Sequence, residues 1–364
     1  KFKKAIEGTG GAAGNLTWNL FDPTANSAEL ISYISSGEER WTEAGLSVID
    51  IILTGTTKNG IDIATGFQHR AENFEIQRND ASKAVFGADG SITQQSDLIF
   101  LGGGQENDSS RNTKAIFVEA AKDMNDKLQL KGAMRYEILK SESTFNPKVS
   151  MRYQMSDSLV LRGSYSTSFR EASLVQLNSD LVALEQLQDY NTDGTTRGSV
   201  AFIRAAKASN KTLTPEESDN INIGAVWKPN SQTSLTVDYW NIEIDDVIAL
   251  PIANLIFNDC LSQTTMDFST GSCGLFIDYG LNDDSDFGPN GLQYYGYPGD
   301  IETPWGNQGT FSSDGVDFAL SFSGDIDNME KVTGYLVNLD ATYHNSYEQE
   351  FEFGGGRDYV GTAD

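Results

Sequence analysis

The chain has 364 residues and a formal net charge of −26, with 26 basic and 52 acidic residues. This acidity argues against a nucleic-acid partner, because nucleic-acid phosphates would repel the chain. No apolar run approaches the roughly 18 residues that a transmembrane helix needs, so a helical membrane protein is excluded. A membrane β-barrel is not excluded, since only every second residue of its strands faces lipid.

Long segments of two-residue alternation dominate the sequence. Between Leu159 and Phe169, for example, the odd positions are mainly apolar, whereas the even positions include Arg162 and three serines. Because successive side chains of a strand point to opposite faces, the two faces meet different surroundings. A run of about eleven residues is the length of a tilted strand that crosses a bilayer.

Ten such strands are predicted, together with an earlier one before Asn19 and a short helix at 28–36. The alternation breaks its phase near Tyr239 and Trp240, where a β-bulge is expected. The ten predicted strands span 47–54, 60–76, 112–123, 128–140, 145–155, 158–169, 217–228, 234–248, 310–324 and 333–347.

Short and long connections alternate along the chain. The long connections are predicted at about 19–46, 78–111, 170–216 and 249–309, with a short exception at 141–144. Short turns on one rim and long loops on the other are typical of outer-membrane barrels. The sequence therefore predicts an all-β, antiparallel transmembrane β-barrel. A soluble β-sandwich, the alternative, has no reason to keep its long loops at one end.

Several blocks of the sequence resemble the barrel of TonB-dependent outer-membrane receptors. They include FNPKVSMRYQMSDSLVLRGSYSTSFREASLVQL, LTPEESDNINIGAVWKPNSQTSLTVDYWNIEIDDVI and SDGVDFALSF, and the resemblance covers about residues 45–350. One departure is Glu171-Ala172, where relatives commonly place Ala-Pro. The family barrel has about 22 strands. We therefore expect residues 1–364 to be one partial barrel domain of about 10–11 strands, an internal fragment without the plug domain or final strand.

Cys260 and Cys273 lie close together in a polar loop of the sequence. Two isolated cysteines so close in a loop suggest a structural disulfide and an oxidising compartment. Metal binding is not favoured, because His69 and His344, the two histidines, are not nearby. Relatives often carry a cysteine pair at this place.

Two further sets of residues are candidates for contact with a ligand or with the plug. Exposed aromatic side chains of a loop stack on sugar rings or planar chelates, or they pack the loop's own small core. The loop aromatics are Phe287, Tyr294, Tyr295, Tyr297 and Trp305. Arginines on the inner face suit carboxylates of the plug, or they serve the general polarity of the lumen. These arginines are Arg135, Arg152 and Arg162.

The sequence gives no support for catalysis or for a cofactor. GTGGAA at 8–13 lacks the βαβ context of a dinucleotide site, and no G-x-S-x-G occurs. The stretch NDDSDFG at 282–288 suggests calcium, but Phe287 and Gln293 stand where an EF-hand needs Gly and Glu. A solvated acidic loop is therefore favoured there, and weak calcium binding in a geometry other than the EF-hand is the alternative.

The resemblance implies a receptor in the outer membrane of a Gram-negative bacterium. Such a receptor binds a scarce, bulky nutrient, and the ligand classes considered are ferric siderophores, oligosaccharides and cobalamin. Its partners would be that ligand, outer-membrane lipid and the TonB system, which acts through the plug. The alternatives are a passive outer-membrane channel, and a β-rich adhesin or carbohydrate-binding module.

Overall fold

Most of the described chain consists of β-strands. The computed structural model describes residues 1–35, 37–87, 92–94, 96–98, 103–140, 142–190, 196–262, 269–275, 301–326, 334–351 and 355–360. Its helices are α1 (Phe2–Ile6), α2 (Ala28–Ile34), α3 (Leu174–Asn178) and α4 (Ala253–Ser262), with 3₁₀ turns at Pro23–Ala25 and Cys273–Leu275. No helix in these ranges is long and apolar enough to span a membrane.

The strands vary widely in length. In chain order they are β1 (Arg40–Thr56), β2 (Ile61–Arg78), β3 (Val85–Phe86), β4 (Ile92–Gln94), β5 (Asn107–Asn125), β6 (Leu128–Ile138), β7 (Ser143–Ser156), β8 (Leu159–Arg170), β9 (Leu181–Tyr190), β10 (Thr196–Lys207), β11 (Glu216–Asn230), β12 (Thr233–Asp245), β13 (Ile248–Ala249), β14 (Ile301–Glu302), β15 (Gly306–Asn307), β16 (Gly309–Asp325), β17 (Gly334–Phe351) and β18 (Gly355–Asp358).

One antiparallel sheet of 11 strands organises the molecule. Its order is β1-β2-β5-β6-β7-β8-β11-β12-β16-β17-β18, so each strand pairs with the member of this sheet that follows it along the chain. The strands from β1 to β17 in this sheet are 11 to 19 residues long. All ten long strands predicted from the alternation are therefore confirmed, most of them longer by a few residues.

The register of the sheet places apolar side chains on one face. A single row runs from Leu128 through Tyr153, Leu161, Ala225, Val237 and Phe318 to Ala341. The predicted apolar residues Leu130, Leu159, Ile221 and Ile223 share this face by the same register. We call it the apolar face and the opposite side the polar face.

Aromatic residues form two bands on the apolar face. At one of them, the Tyr165 hydroxyl donates a hydrogen bond to the Asp219 carboxylate. Aromatic girdles at both interfaces of the bilayer are typical of membrane barrels. One band is exposed toward the long connections and contains Tyr136, Phe145, Tyr165, Tyr239 and Tyr343; the other contains Tyr153, Trp227, Phe322 and Tyr335.

The long connections emerge from one edge of the sheet. Because consecutive strands are antiparallel neighbours, the segments 79–106, 171–215 and 246–308 follow strands that end at this loop edge. The turns at 57–60, 126–127, 157–158 and 231–232 share the opposite, short-turn edge. The predicted alternation of loop lengths is confirmed for these connections, while the turn near 328 lies outside the described residues.

Two local predictions at the N-terminus had different outcomes. The helix expected at 28–36 is present as α2, where the Ser27 hydroxyl accepts a hydrogen bond of 3.2 Å from the Leu30 amide. The strand expected before Asn19 is wrong, since α1 and a series of turns occupy that segment. Gly8, Gly11 and Gly14 have positive φ angles of 80°, 78° and 66°, which an extended strand does not allow.

The β-bulge predicted near Tyr239 and Trp240 is also wrong. Both residues keep continuous register with both neighbouring strands, and Trp240 lies on the polar face. Its ring has room there because it covers Gly315, and it meets the His344 ring edge-on at 5.4 Å. The register shift occurs instead between Asp314 and Gly315, opposite Ser346 and His344.

Candidate functional site

The long connections pack together above the loop edge of the sheet. Strand β10 pairs with β9 and, in parallel, with β14, which joins the connection 171–215 to the connection 246–308. Gly104 forms bridges with Lys83 and with Leu181, which adds the connection 79–106. These three segments therefore form one layer, which we call the loop cap.

The loop cap has small apolar cores of its own. One core consists of Ala84, Ile92, Val182 and Ala206, with Phe86 packed against it. A second consists of Ala172, Leu213 and Ile248, with Leu177 and Trp305 packed against it. Because burial of apolar side chains opposes loop motion, the cap is a folded layer with its own cores and not a set of independent loops.

A disulfide fixes the end of α4 within the loop cap. Cys260 and Cys273 are bonded, their Cα atoms are 4.8 Å apart, and both residues are fully buried. Helix α4 lies against β9, so the bond holds the 3₁₀ turn at Cys273–Leu275 to a helix that packs on the neighbouring connection. The predicted disulfide is confirmed.

The connection after β8 folds back over the polar face. Helix α3 lies against β5 and β2, although the large sheet places β7 and β6 between β8 and β5. A capping box starts the helix, in which Ser173 and Gln176 exchange side-chain to backbone hydrogen bonds. We call residues 171–178 the strap.

Arg111 on β5 holds the strap to the large antiparallel sheet, which we call the wall. Its guanidinium lies 2.7 Å from the Glu72 carboxylate and 3.3 Å from that of Glu171, and it also donates to the Ala172 carbonyl. Arg111 and Glu171 are 9% and 8% exposed. The departure from the family pattern at Glu171 therefore supplies a carboxylate partner for one buried arginine.

The pKa of the Glu171 carboxyl is raised above its ordinary value. Burial is the main cause and the neighbouring Glu72 charge adds to it, while Arg111 and Arg70 act in the opposite direction. Ionisation of this carboxyl group in the strap is therefore less favourable than that of a solvent-exposed glutamate, despite its arginine partner.

Below the strap, the polar face carries an ion-pair network that joins β2 and β6 across β5. Ala115 separates Gln68 on β2 from Glu137 on β6. The Arg70 guanidinium reaches across β5 to within 3.2 Å of Glu137, and the Arg135 guanidinium donates to Gln68 at 2.7 Å and to Glu137. Glu137 is only 3% exposed, so both arginines depend on one buried carboxylate.

A second pair on the polar face spans a glycine. Gly224 on β11 stands opposite Arg162 on β8 and Asp238 on β12. Arg162 Nε donates to Asp238 at 2.8 Å in a two-pronged interaction over this glycine. A Cβ atom on Gly224 would lie 1.7 Å from the Asp238 carboxylate, so the pair requires glycine there.

A third pair joins the wall to the loop cap. Arg170, the last residue of β8, binds the carboxylate of Glu216, the first residue of β11. Glu216 also accepts a hydrogen bond of 2.7 Å from the backbone of Ile248 in the second core. The loop edge of the wall is therefore tied to the cap by charge and by packing.

The predicted site residues divide into three groups. Trp305 packs against the second core of the cap, the alternative expected for loop aromatics. Phe287, Tyr294, Tyr295, Tyr297 and the acidic stretch 282–288 lie outside the described residues. The three predicted arginines lie on the polar face, where Arg135 and Arg162 have carboxylate partners and Arg152 donates to Gln154 at 2.8 Å. The prediction that they face a plug stays a prediction.

The sequence reasoning missed Arg111, Glu137, Glu171 and Asp238. Arg162 and Asp238 are 76 positions apart, and Arg70 and Glu137 are 67 apart. The sequence does contain a small residue on the polar face of one strand, with a charged residue on each of the two neighbouring strands. This arrangement can be recognised only when the register of the three strands is known.

Sequence comparison identifies the barrel. A family model described as TonB dependent receptor-like, beta-barrel matches residues 8–363. A search of curated proteins found no match.

Solved structures share the fold at low identity. A double mutant of the ferric enterobactin receptor PfeA of Pseudomonas aeruginosa is 13% identical, with a TM-score of 0.54 over 84% of this chain and 36% of that one. Another PfeA mutant, in complex with enterobactin, is 11% identical, with a TM-score of 0.53 over 94% and 42%. The siderophore receptor PirA of the same bacterium has 10% identity and a TM-score of 0.48 over 85% and 46%.

The chain thus spans less than half the length of these structures. Its single sheet with one apolar face, its loop cap at one edge and its match to the family model agree with one another. The chain belongs to the family of TonB-dependent receptors, whose β-barrel domain the family model describes.

Proposed function

We propose that the protein takes up a bulky, scarce nutrient across the outer membrane by TonB-dependent active transport. The observation that carries the proposal is the division of the sheet into two faces, continued by a folded cap at one edge. The apolar face suits lipid, the polar face suits a lumen, and the cap stands where an external ligand arrives. No covalent chemistry is required of these residues.

The outer membrane of a Gram-negative bacterium is the location of this receptor family, and the described wall fits that location. The two aromatic bands are exposed on the apolar face. Rings that are apolar in body and polar at the tip prefer the interface between bilayer and water. Outer-membrane lipid is accordingly the proposed partner of the apolar face.

We propose a ferric siderophore as the first ligand to test. Ferric enterobactin receptors share the fold of this chain at TM-scores above 0.5. Oligosaccharides and cobalamin are the other ligand classes to compare. The loop aromatics Phe287, Tyr294, Tyr295 and Tyr297 are proposed as contacts for whichever ligand binds.

Energy would reach the ligand through TonB and a plug domain in the lumen. The polar face supports the presence of such a domain. It carries charged side chains, such as Arg135, Arg152 and Arg162, on a wall that consists of a single sheet. Carboxylates on a plug are proposed to meet them.

Uptake by the complete receptor in living cells tests the proposal. Cells that lack their own siderophore receptors and express this one should accumulate radioiron supplied as ferric enterobactin. Discharging the proton-motive force should stop accumulation, and deleting the tonB gene should do the same. Accumulation that continues unchanged after discharge would instead identify a passive channel.

A further inference from the structure

A groove lies on the apolar face of the wall, toward the short-turn edge. It has a volume of about 860 Å³ and runs across the strands from β5 to β11. Its floor lies where Ala120, Gly132 and Gly163 leave the backbone almost uncovered. Its sides are formed by larger apolar residues, namely Leu130, Val149, Met151, Leu161 and Ile223.

The two glycines of the floor face open space. A Cβ atom on Gly132 would meet no atom closer than 4.0 Å, and one on Gly163 would meet none closer than 3.7 Å. Glycines of the polar face differ, since neighbouring side chains would lie within 3 Å of a Cβ atom on Gly66 or Gly224. The side chains that line the groove therefore do not close over its floor.

One charged side chain borders the groove on the apolar face. Lys122 on β5 stands opposite Ile61 on β2 and Leu130 on β6, so both neighbours across the sheet are apolar. Among the described residues that the register of β5 to β17 in the large sheet places on this face between the two aromatic bands, Lys122 is the one that carries a charge. It forms no ion pair with a described carboxylate.

Lys122 lies at the depth of the aromatic band near the short-turn edge. Trp227 on β11 lies one row of side chains nearer the short turns than Tyr153 on β7, so this band rises by one row over two strands. One further row over the next two strands leads to Leu130 on β6 and Lys122 on β5. Because aromatic bands mark the surfaces of the bilayer, Lys122 stands at the level of the lipid headgroups.

Charge on the lipid side of the sheet differs between its two edges. Beyond the aromatic band near the loop edge, the same face carries the carboxylates of Asp219, Glu243 and Asp314. These groups repel anionic headgroups, whereas the isolated ammonium group of Lys122 attracts them. The short-turn side of the wall is therefore the side that favours an anionic lipid.

We infer that the groove and Lys122 form a binding site for one anionic glycerophospholipid, with its phosphate at the Lys122 ammonium group and one acyl chain in the groove. The inference rests on the proposed function, which places the apolar face in lipid, and goes beyond it by assigning one site and a headgroup charge. Close packing on the uncovered backbone would hold the acyl chain, since apolar burial gives no advantage within a bilayer. The cation would select the headgroup.

The first test counts bound lipid. The complete receptor is inserted into vesicles with equal amounts of phosphatidylglycerol, which is anionic, and phosphatidylethanolamine, which is zwitterionic. It is then extracted in mild detergent, and the retained lipids are counted by native mass spectrometry. The unchanged receptor should retain one phosphatidylglycerol with a severalfold preference. Lys122→Gln should lose this preference, whereas Lys114→Gln, on the same strand and face but nearer the loop edge, should keep it.

A second pair of variants tests the groove itself. Gly132→Leu places a side chain in the groove without a clash and should lower lipid retention severalfold, whatever the headgroup. Ala341→Leu on β17, on the same face but outside the groove, is the control and should retain the lipid. Heat-modifiable migration on gels shows that each variant is folded. Should Gly132→Leu fail to fold, Ala120→Leu fills the same groove and gives the same readout.

Four results would overturn the inference. Absence of retained lipid would remove the site, and equal retention of both lipids would remove Lys122 as the headgroup contact. Unchanged retention by Gly132→Leu would place the lipid outside the groove. A receptor dimer that Gly132→Leu abolishes would assign the groove to a second copy of the chain. Retention requires only the inserted barrel, so uptake that survives discharge of the proton-motive force would refute the proposed function without altering this outcome.

Discussion

The upper and lower parts of the polar face handle charge in opposite ways. Near the loop edge, arginines bind carboxylates, as Arg70 on β2 does when it reaches across β5 to Glu137 on β6. Near the short-turn edge, Arg152 faces Arg162 and lacks a carboxylate among the described residues. The arginines of the upper part therefore have carboxylate partners within the sheet, whereas Arg152 in the lower part has none among the described residues. The predictions below test this difference.

The largest effect is expected for Glu137→Ala in the upper network. It leaves Arg70 and Arg135 without the carboxylate that both contact. Breaking a buried ion pair costs about 3–5 kcal/mol, and the lower end applies here because both arginines are partly exposed. Urea unfolding of the complete receptor measures the loss. Glu119→Ala is the matched control on the same face, and equal losses for the two variants would contradict the network.

The next effect is expected for Gly224→Ala. The added Cβ would lie 1.7 Å from the Asp238 carboxylate and would push it away from Arg162. Overpacking of this kind costs about 1–3 kcal/mol. Gly163→Ala on the adjacent strand is the control, because its Cβ would meet no atom closer than 3.7 Å. A thermal unfolding series should separate the two alanines, and equal stability would contradict the bridging pair.

A smaller, pH-dependent effect is expected at the strap. Burial raises the pKa of Glu171 above its ordinary value of 4.5, so the folded strap binds this proton more tightly than the unfolded chain does. Protonated Glu171 therefore stabilises the folded strap. This contribution is fully present below the ordinary pKa and is lost as the pH rises through the raised pKa. Because glutamine stays neutral at every pH, Glu171→Gln removes this loss. At neutral pH the strap of the variant should therefore resist protease better than the unchanged strap. At acidic pH the two should resist protease equally. Lower protease resistance of the variant than of the unchanged strap at neutral pH would reverse the assigned sign.

The smallest effect is expected for Arg152→Ala. Since Arg152 repels Arg162 and has no described ion pair, its removal should change the stability of the strands by less than about 1 kcal/mol. Urea unfolding monitored on the strands provides the measurement. A loss as large as that of Glu137→Ala would show that the lower part is self-contained after all.

The sequence predicted the strands well because alternation records which face meets lipid. Leu128, Leu161 and Ile223 each fall on the predicted apolar face. The bulge at Tyr239–Trp240 was wrong because an aromatic residue on a polar face imitates a change of phase, and Gly315 on the next strand makes room for it.

Most of the candidate site could not be predicted from the sequence. Its contacts join residues on strands that are not neighbours, such as Arg162 and Asp238 with Gly224 between them. The strap depends on Arg111, which is 61 positions from the Ala172 carbonyl that it binds. Such pairs leave no local pattern, because the intervening chain can be of any length. The disulfide was predictable, since both cysteines lie in one connection.

The central claim is that one face of this wall meets lipid and the other lines a lumen. Nitroxide labels placed singly along β11 and β12 of the complete receptor in liposomes test it directly. We predict that labels at Ile223 and Val237 are relaxed strongly by oxygen, which concentrates in lipid. Labels at Asn222 and Thr236 should be far less accessible to oxygen than their neighbours. Equal oxygen accessibility at neighbouring positions, or the reverse alternation, would contradict the account.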